Sequence, residues 1–303
     1  MMSLARLFAL LAMFWVFPVV LSVTPADARA QAADITKSTA VDSIKISNLS
    51  PRQGETVSVV LPRTYVDSLG LGDSRLIVEF AGETIPLYPQ EKDSQALLST
   101  LIAVPANMKP GGHTFTVCGV EQKLEVKDAR FPTQKLRLPP KKNNFTASPG
   151  EKEAVQKAKE EASSERHWQG KFQHPVKNAR ISSRFGLGRI VNGKRLDDYF
   201  HAGMDFAAGR GTPVLACAKG KVILAASGWK LHGNTVCIDH GQGVITIYIH
   251  MNSLKVKTGD LVEMAEQIGT VGSTGRASGP HLHLGLYVNK VAANPEPWFA
   301  RTF

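Results

Sequence analysis

Apolar residues recur at alternate positions along much of this chain. Val57, Val59 and Leu61 fall two apart, as do Leu76, Val78 and Phe80, then Phe115 and Val117, then Leu124 and Val126. In a strand, residues i and i+2 share a face, so each run predicts a strand with one buried side. Pro51, Gly54, Gly82, the 110–112 Pro-Gly-Gly run and Gly119 punctuate these runs as turns do. Residues 41–130 therefore predict a small Ig-like β-sandwich. A second alternating series begins near Trp168 and runs through 214–218, 222–225, 235–238 and 244–249. With glycine and His-Gly turns between its runs, it predicts a mostly antiparallel β domain over 168–303, with 221–226 and 234–240 forming a hairpin.

Between the two series the composition changes. Residues 131–147 are rich in proline and lysine and read as a linker. Ser148-Pro149-Gly150-Glu151 then signals a helix start: Ser148 as cap, Pro149 tolerated at the first helical position, Glu151 completing a capping box. Ala154, Ala158 and Ala162 form a thin apolar stripe, which predicts a solvated spacer helix, packed lightly on a neighbour and reaching about residue 166. Linker and spacer thus occupy 131–167. At the N-terminus, Arg6 precedes an apolar run over 7–23 and then Ala26-Asp27-Ala28-Arg29-Ala30. That order reads as a secretory signal peptide over 1–30, cut after Ala30. Pro18 breaks a run already short of the about 20 apolar residues a spanning helix needs, so cleavage is favoured over anchoring. Residues 31–40 are polar and expected to be disordered. The expected destination is the periplasm, the cell envelope or the medium.

The chemistry concentrates in the second series. His281 and His283 stand two apart in a run that reads as a strand, so both imidazoles enter one space. That suits one metal, or a metal ligand beside a general base. Upstream, His201-x-Gly203-x-Asp205 supplies an imidazole and a carboxylate, and Tyr248-x-His250 ends another alternating run. Catalytic zinc takes three protein ligands of these types and keeps a fourth position for water. The residue types support one metal site without deciding which histidine of the 281/283 pair binds. His113, His167, His174, His232 and His240 stand alone and read as surface or core residues.

These motifs, in this order, carry a resemblance. Together with Ser182-Ser183-Arg184-Phe185-Gly186, Gly211-Thr212-Pro213-Val214, Asp239-His240-Gly241 and Gly272-Ser273-Thr274-Gly275, they make residues 172–295 resemble the M23 family of zinc metallopeptidases, the lysostaphin-like or LytM-type domain. The resemblance implies a groove on a sheet face with zinc at its floor. It implies His201, Asp205 and His283 as zinc ligands and His250 and His281 as the catalytic pair. Tyr248, reckoned to share a strand face with His250, would support the transition state or else pack in the core. Leu284-Gly285 stands where many members carry an aromatic and an acid, a departure that touches groove shape rather than metal binding. The implied activity is zinc-dependent endopeptidase cleavage of peptidoglycan cross-linking peptides. The alternative is a non-enzymatic LytM-type activator or binder of another wall hydrolase. Such relatives usually lack a ligand, and this chain lacks none.

Charge narrows the partners. The 303-residue chain carries a formal net charge of +10, which suits a polyanionic neighbour such as a cell-wall polymer. It has no run of five or six basic residues and no aromatics interleaved with them, so nucleic acid is not an expected partner. Peptidoglycan is the expected one, with wall or division-machinery proteins as candidates and no stable membrane insertion after signal cleavage. Cys118, Cys217 and Cys237 allow at most one bridge, and the hairpin register carries Cys217 past Cys237. Three buried thiols are expected, with no zinc-cluster spacing.

Overall fold

A computed structural model describes residues 43–137, 146–196 and 199–303. The expected signal peptide, the polar stretch after it and the middle of the linker lie outside the described residues. The described chain is mostly β.

The alternation in the first series produces two four-stranded antiparallel sheets. One runs in the order Lys45–Ile46, Thr56–Pro62, Gln95–Ala103, Tyr88–Lys92; the other in the order Glu83–Pro86, Ile77–Phe80, Gly111–Val117, Val120–Val126. Val57, Val59, Leu61, Leu98 and Ile102 from the first meet Val78, Phe80, Phe115, Val117 and Leu124 from the second in one apolar core. Phe80 and Phe115 pack edge to face with centroids 5.9 Å apart.

The second series builds a ten-stranded sheet. Its main path runs Arg180–Ser183, Gly203–Ala207, His281–Val288, Val244–Leu254, Asn234–Gly241, Gly220–Ala226, Leu261–Val262. The expected hairpin forms, with Leu224 opposite Cys237, and all three cysteines are free and buried. Three central strands set the site: Asp205 lies opposite His283, Ala207 opposite His281, and Ile249 opposite His283 on the other side. Period two then divides the residues. Met204, Phe206, Tyr248, Leu282, Leu284, Leu286 and Val288 turn into the main core, while Asp205, Ile247, Ile249, His281, His283 and Tyr287 line a cleft on the opposite face.

The sandwich is packed directly on this sheet. Leu101 and Ala103 enter the same core as Trp298, whose Nε1–H donates to Thr56 Oγ1 at 3.2 Å. Asn289 Nδ2 donates to the Leu101 carbonyl at 2.8 Å.

The linker differs from expectation on both sides of its undescribed middle. Thr133–Leu136 is a strand, paired in parallel with Gly188–Val191. The helix spans Glu151–Glu160, ending six residues short of the predicted 166, and Gly150 at its N-cap is left-handed at φ 73°. Half of the capping box forms: the Ser148 N–H donates to Glu151 Oε2 at 2.6 Å, but Ser148 Oγ accepts from the Lys230 N–H instead of capping. The helix packs more deeply than the light contact expected of a spacer. Val155 and Ala158 are buried against Cys237, Ile245, Ile247 and Ile249, with Ala162 and Tyr287 packed beside them. The buried stripe on the helix is Val155 and Ala158, at i and i+3, with Ala154 half-buried and Ala162 half-buried beyond the helix end.

Candidate metal and catalytic site

Three side chains from two adjacent strands and the loop before them meet at the cleft floor. His201 Nε2 lies 3.0 Å from Asp205 Oδ1 and 2.9 Å from His283 Nδ1, and His283 Nδ1 lies 2.8 Å from Asp205 Oδ1. His201 Nδ1 faces the Arg184 carbonyl at 2.9 Å. A carbonyl only accepts, so Nδ1 carries the proton and Nε2 presents a lone pair to the other two atoms. Lone pairs of two imidazoles and a carboxylate converging this closely repel unless a proton or a cation sits among them. The donor set and its carbonyl-anchored histidine fit zinc. Burial alone would raise the Asp205 carboxyl; the adjoining His201 and His283 rings, which attract its charged form, overcome this and hold it well below the usual range. Burial lowers the His283 imidazole to about 4, against the opposing pull of Asp205. Both groups are thus in the deprotonated forms that bind metal.

Gly203 explains why this strand can approach so closely. A Cβ there would fall 2.2 Å from the Leu284 carbonyl oxygen and 2.7 Å from His283 Nε2. The histidine ring occupies the space that any side chain at 203 would need.

Two more histidines flank the triad. The ring centroids of His250 and His281 are 4.9 Å apart, and His281 Nε2 lies 3.9 Å from Asp205 Oδ1. His250 Nδ1 meets the Thr274 carbonyl at 2.9 Å and His281 Nδ1 meets the Gly279 carbonyl at 2.8 Å. By the same donor argument, each ring leaves Nε2 as its open nitrogen. Burial, then the charges of His281 and His283, hold the His250 imidazole well below its ordinary value, so it stays neutral.

Tyr248 is a correction. It does not share a face with His250, because His250 has φ 65° and breaks the strand's alternation. That left-handed turn swings His250 into the cleft and leaves Tyr248 fully buried on the core side. There its hydroxyl accepts from the Cys217 N–H at 2.8 Å and from Thr246 Oγ1 at 3.1 Å. Of the two roles expected for Tyr248, it takes core packing and not transition-state support.

Residues 199–295 match the model for Peptidase family M23. The chain carries an M23 peptidase domain. Its relatives include the DD-carboxypeptidase/endopeptidase Mpg of Neisseria meningitidis serogroup B, 43% identical over 124 residues that make 40% of this chain and 27% of that one. The peptidoglycan DD-endopeptidase ShyC of Vibrio cholerae is 40% identical over 123 residues, 40% of this chain and 28% of that one. The matched stretch thus spans under a third of these curated relatives. A Pseudomonas aeruginosa crystal structure described as a peptidase of family M23 superposes with a TM-score of 0.57 at 26% identity, covering 75% of this chain and 88% of that one.

The M23 cleft here encloses about 420 Å³ and takes walls from outside the 199–295 match. Gln134 and Leu136 from the linker strand, Val155 and Lys159 from the helix, and Arg189 all line it. Arg189 Nη2 reaches Asp205 Oδ2 at 3.5 Å. His232 and Arg276 line it as well, and neither carried a signal in the sequence, because each stands alone there. Glu151, fully buried, accepts from the His232 N–H at 2.6 Å and the Leu231 N–H at 3.1 Å, and contacts His232 Nδ1 at 2.7 Å. The His232 carbonyl in turn accepts the His250 N–H at 2.9 Å. A residue chosen as a helix start is thus an anchor for the loop beside the site.

Proposed function

We propose that this protein is an exported zinc endopeptidase that hydrolyses amide bonds in the cross-linking peptides of peptidoglycan. The observation that carries the reading is the convergence of three metal-type donor atoms with two histidines whose open Nε2 atoms face the same cleft. His201, Asp205 and His283 would hold the ion. Zinc, when bound, supplies Lewis-acid polarisation of the scissile carbonyl and makes water acidic enough to lose a proton near neutral pH. His250, neutral and fixed through Nδ1, takes that proton at Nε2 as the water oxygen bonds to the carbonyl carbon. In its imidazolium form His281, fixed to the Gly279 carbonyl through Nδ1, would donate Nε2–H to the oxyanion. The proton on His250 passes to the amine as the C–N bond breaks, giving a carboxylic acid and a free amine. Named peptidoglycan endopeptidases among the relatives and the basic net charge both support a wall peptide as substrate.

Digestion of purified cross-linked peptidoglycan, with released fragments identified by mass, tests this reading. Conversion of cross-linked dimers to monomers with one new amine and one new carboxyl is expected. A folded, zinc-loaded protein that releases nothing would contradict it.

A further inference from the structure

Besides the triad and its flanking pair, a further histidine reaches the cleft. His232 lines the cavity with its side chain 20% exposed, and its Nδ1 lies 2.7 Å from Glu151 Oε1. Burial would raise the Glu151 carboxyl; hydrogen bonds from the His232 and Ser148 N–H groups, the His232 ring and the Leu231 N–H hold it below its ordinary range. A carboxylate only accepts, so His232 Nδ1 carries the ring proton and Nε2 keeps its lone pair. Burial lowers the His232 imidazole, and the charges of Lys159 and Lys152 add to this against the pull of Glu151, so the ring is neutral. With Nδ1 committed to a fully buried carboxylate, Nε2 is the open nitrogen, as it is in His250 and His281. Anchoring the loop does not require this ring. The Leu231 and His232 N–H groups already tie the loop to Glu151, so the ring bond adds the orientation of a side chain that faces the cleft. Val155, Leu231 and Ile249 line the cavity as well. An apolar wall carrying a fixed polar group is how ligand sites set orientation, and a hydrogen bond made there is strengthened by the low local dielectric.

We propose that His232, oriented by Glu151, is a substrate-positioning residue whose Nε2 accepts a hydrogen bond from an N–H donor of the peptide beside the scissile bond. The inference rests on the peptidase reading above and adds to it a residue that fixes where the peptide lies. The His232 carbonyl accepts the His250 N–H, so the two backbones run side by side, roughly 5 Å apart. The donor that His232 reads therefore lies within about two residues of the cleaved carbonyl. A backbone amide and a side-chain amine both offer such an N–H. His232 falls within the matched M23 stretch and Glu151 precedes it, so the pair is completed by the helix that this chain lays against the domain.

The test is a cycle between His232 and the donors of the peptide. A cross-linked peptide is compared with versions in which one flanking amide N–H at a time is replaced by an ester oxygen. A further version has its flanking side-chain amine replaced by hydrogen. Binding is measured by calorimetry in the zinc-loaded His250→Ala protein, where turnover does not interfere, and zinc content and urea midpoint are checked on every variant. One replacement should weaken binding by about 3–10-fold, and whether it is an ester or the missing amine identifies the donor. His232→Asn keeps a side-chain N–H for Glu151 but has no acceptor at the Nε2 position. Adding it should weaken the parent peptide by about the same 3–10-fold, and the sensitive replacement should then cost nothing further. His232→Gln, whose amide oxygen reaches the Nε2 position, should restore part of the difference. A ring that only braces the loop would weaken every peptide by one factor and leave the cost of the replacement in place. That result, unchanged binding in His232→Asn, or no sensitive replacement in the starting protein would overturn the proposal. Turnover of the parent peptide by the wild-type chain is assayed separately. If it is not cut, the peptidase reading falls while the cycle still decides the role of His232.

Discussion

Gly203→Ala adds a single methyl group to the strand beneath the triad. Its Cβ would stand 2.2 Å from the Leu284 carbonyl oxygen, about 1 Å inside ordinary contact, and 2.7 Å from His283 Nε2. The carbonyl belongs to the neighbouring strand, so the strand cannot yield without disturbing its pairing with Gly203–Ala207. The His283 ring cannot turn aside without carrying Nδ1 away from Asp205 and His201. Overpacking of this kind typically costs about 1–3 kcal/mol of stability. A displaced ligand should lower zinc affinity by about 10–100-fold, the range seen when the surroundings of a metal ligand are disturbed. Gly279→Ala is the control, because a Cβ there meets nothing within 4 Å. Urea unfolding of the metal-free proteins and zinc competition against a chromophoric chelator read the two effects separately. If Gly203→Ala binds zinc as tightly as Gly279→Ala and unfolds at the same urea concentration, the close-approach argument is wrong.

Other outcomes follow from the same contacts. Glu151→Ala leaves the Ser148, Leu231 and His232 N–H groups without their carboxylate, so a loss of about 3 kcal/mol in urea unfolding is expected. Turnover should fall with zinc still bound, since the loop that holds the His250 N–H loosens; unchanged stability would refute the anchor. His240 is fully buried between the Lys219 carbonyl and Thr246 Oγ1, and burial lowers it to about 4. The unfolded chain therefore takes up a proton near pH 6.5 that the folded chain refuses. That difference should remove about 3 kcal/mol of stability as pH falls from about 6.5 to 4. His240→Gln should flatten that part of the stability–pH curve, and an equal slope in both proteins would contradict the assignment. A chain beginning at Trp168 loses Thr56, Leu101 and Ala103 from around Trp298 as well as the Glu151 anchor. It should unfold at lower urea than the full chain; equal midpoints would show that the sandwich adds nothing to the fold.

What the sequence made legible was what strand periodicity can carry. His281 and His283 share a face because they are two apart, and the 221–226 and 234–240 hairpin is local. Where the backbone left the β region, the same rule misled. The left-handed turn at His250 carries its ring into the cleft while Tyr248 stays on the core side, and no spacing in the sequence announces that turn. Long-range placements were equally invisible. Thr133–Leu136 is a strand only because Gly188–Val191 offers it an edge, and the charged helix hides its packing face behind lysines and glutamates. Arg189, Arg276 and His232 reach the cleft from separate loops and strands, so no local spacing could have grouped them.

Zinc content and peptide hydrolysis, measured together on wild type, His283→Ala and His250→Ala, test the division of labour at the site. About one zinc per chain is expected in wild type and in His250→Ala, because one three-donor set is present among the described residues. His283→Ala should lose both zinc and turnover. His250→Ala should keep the metal while turnover drops by about 10²–10⁴-fold, the usual worth of a general base. Retention of zinc and full activity by His283→Ala, or loss of zinc from His250→Ala, would contradict the account.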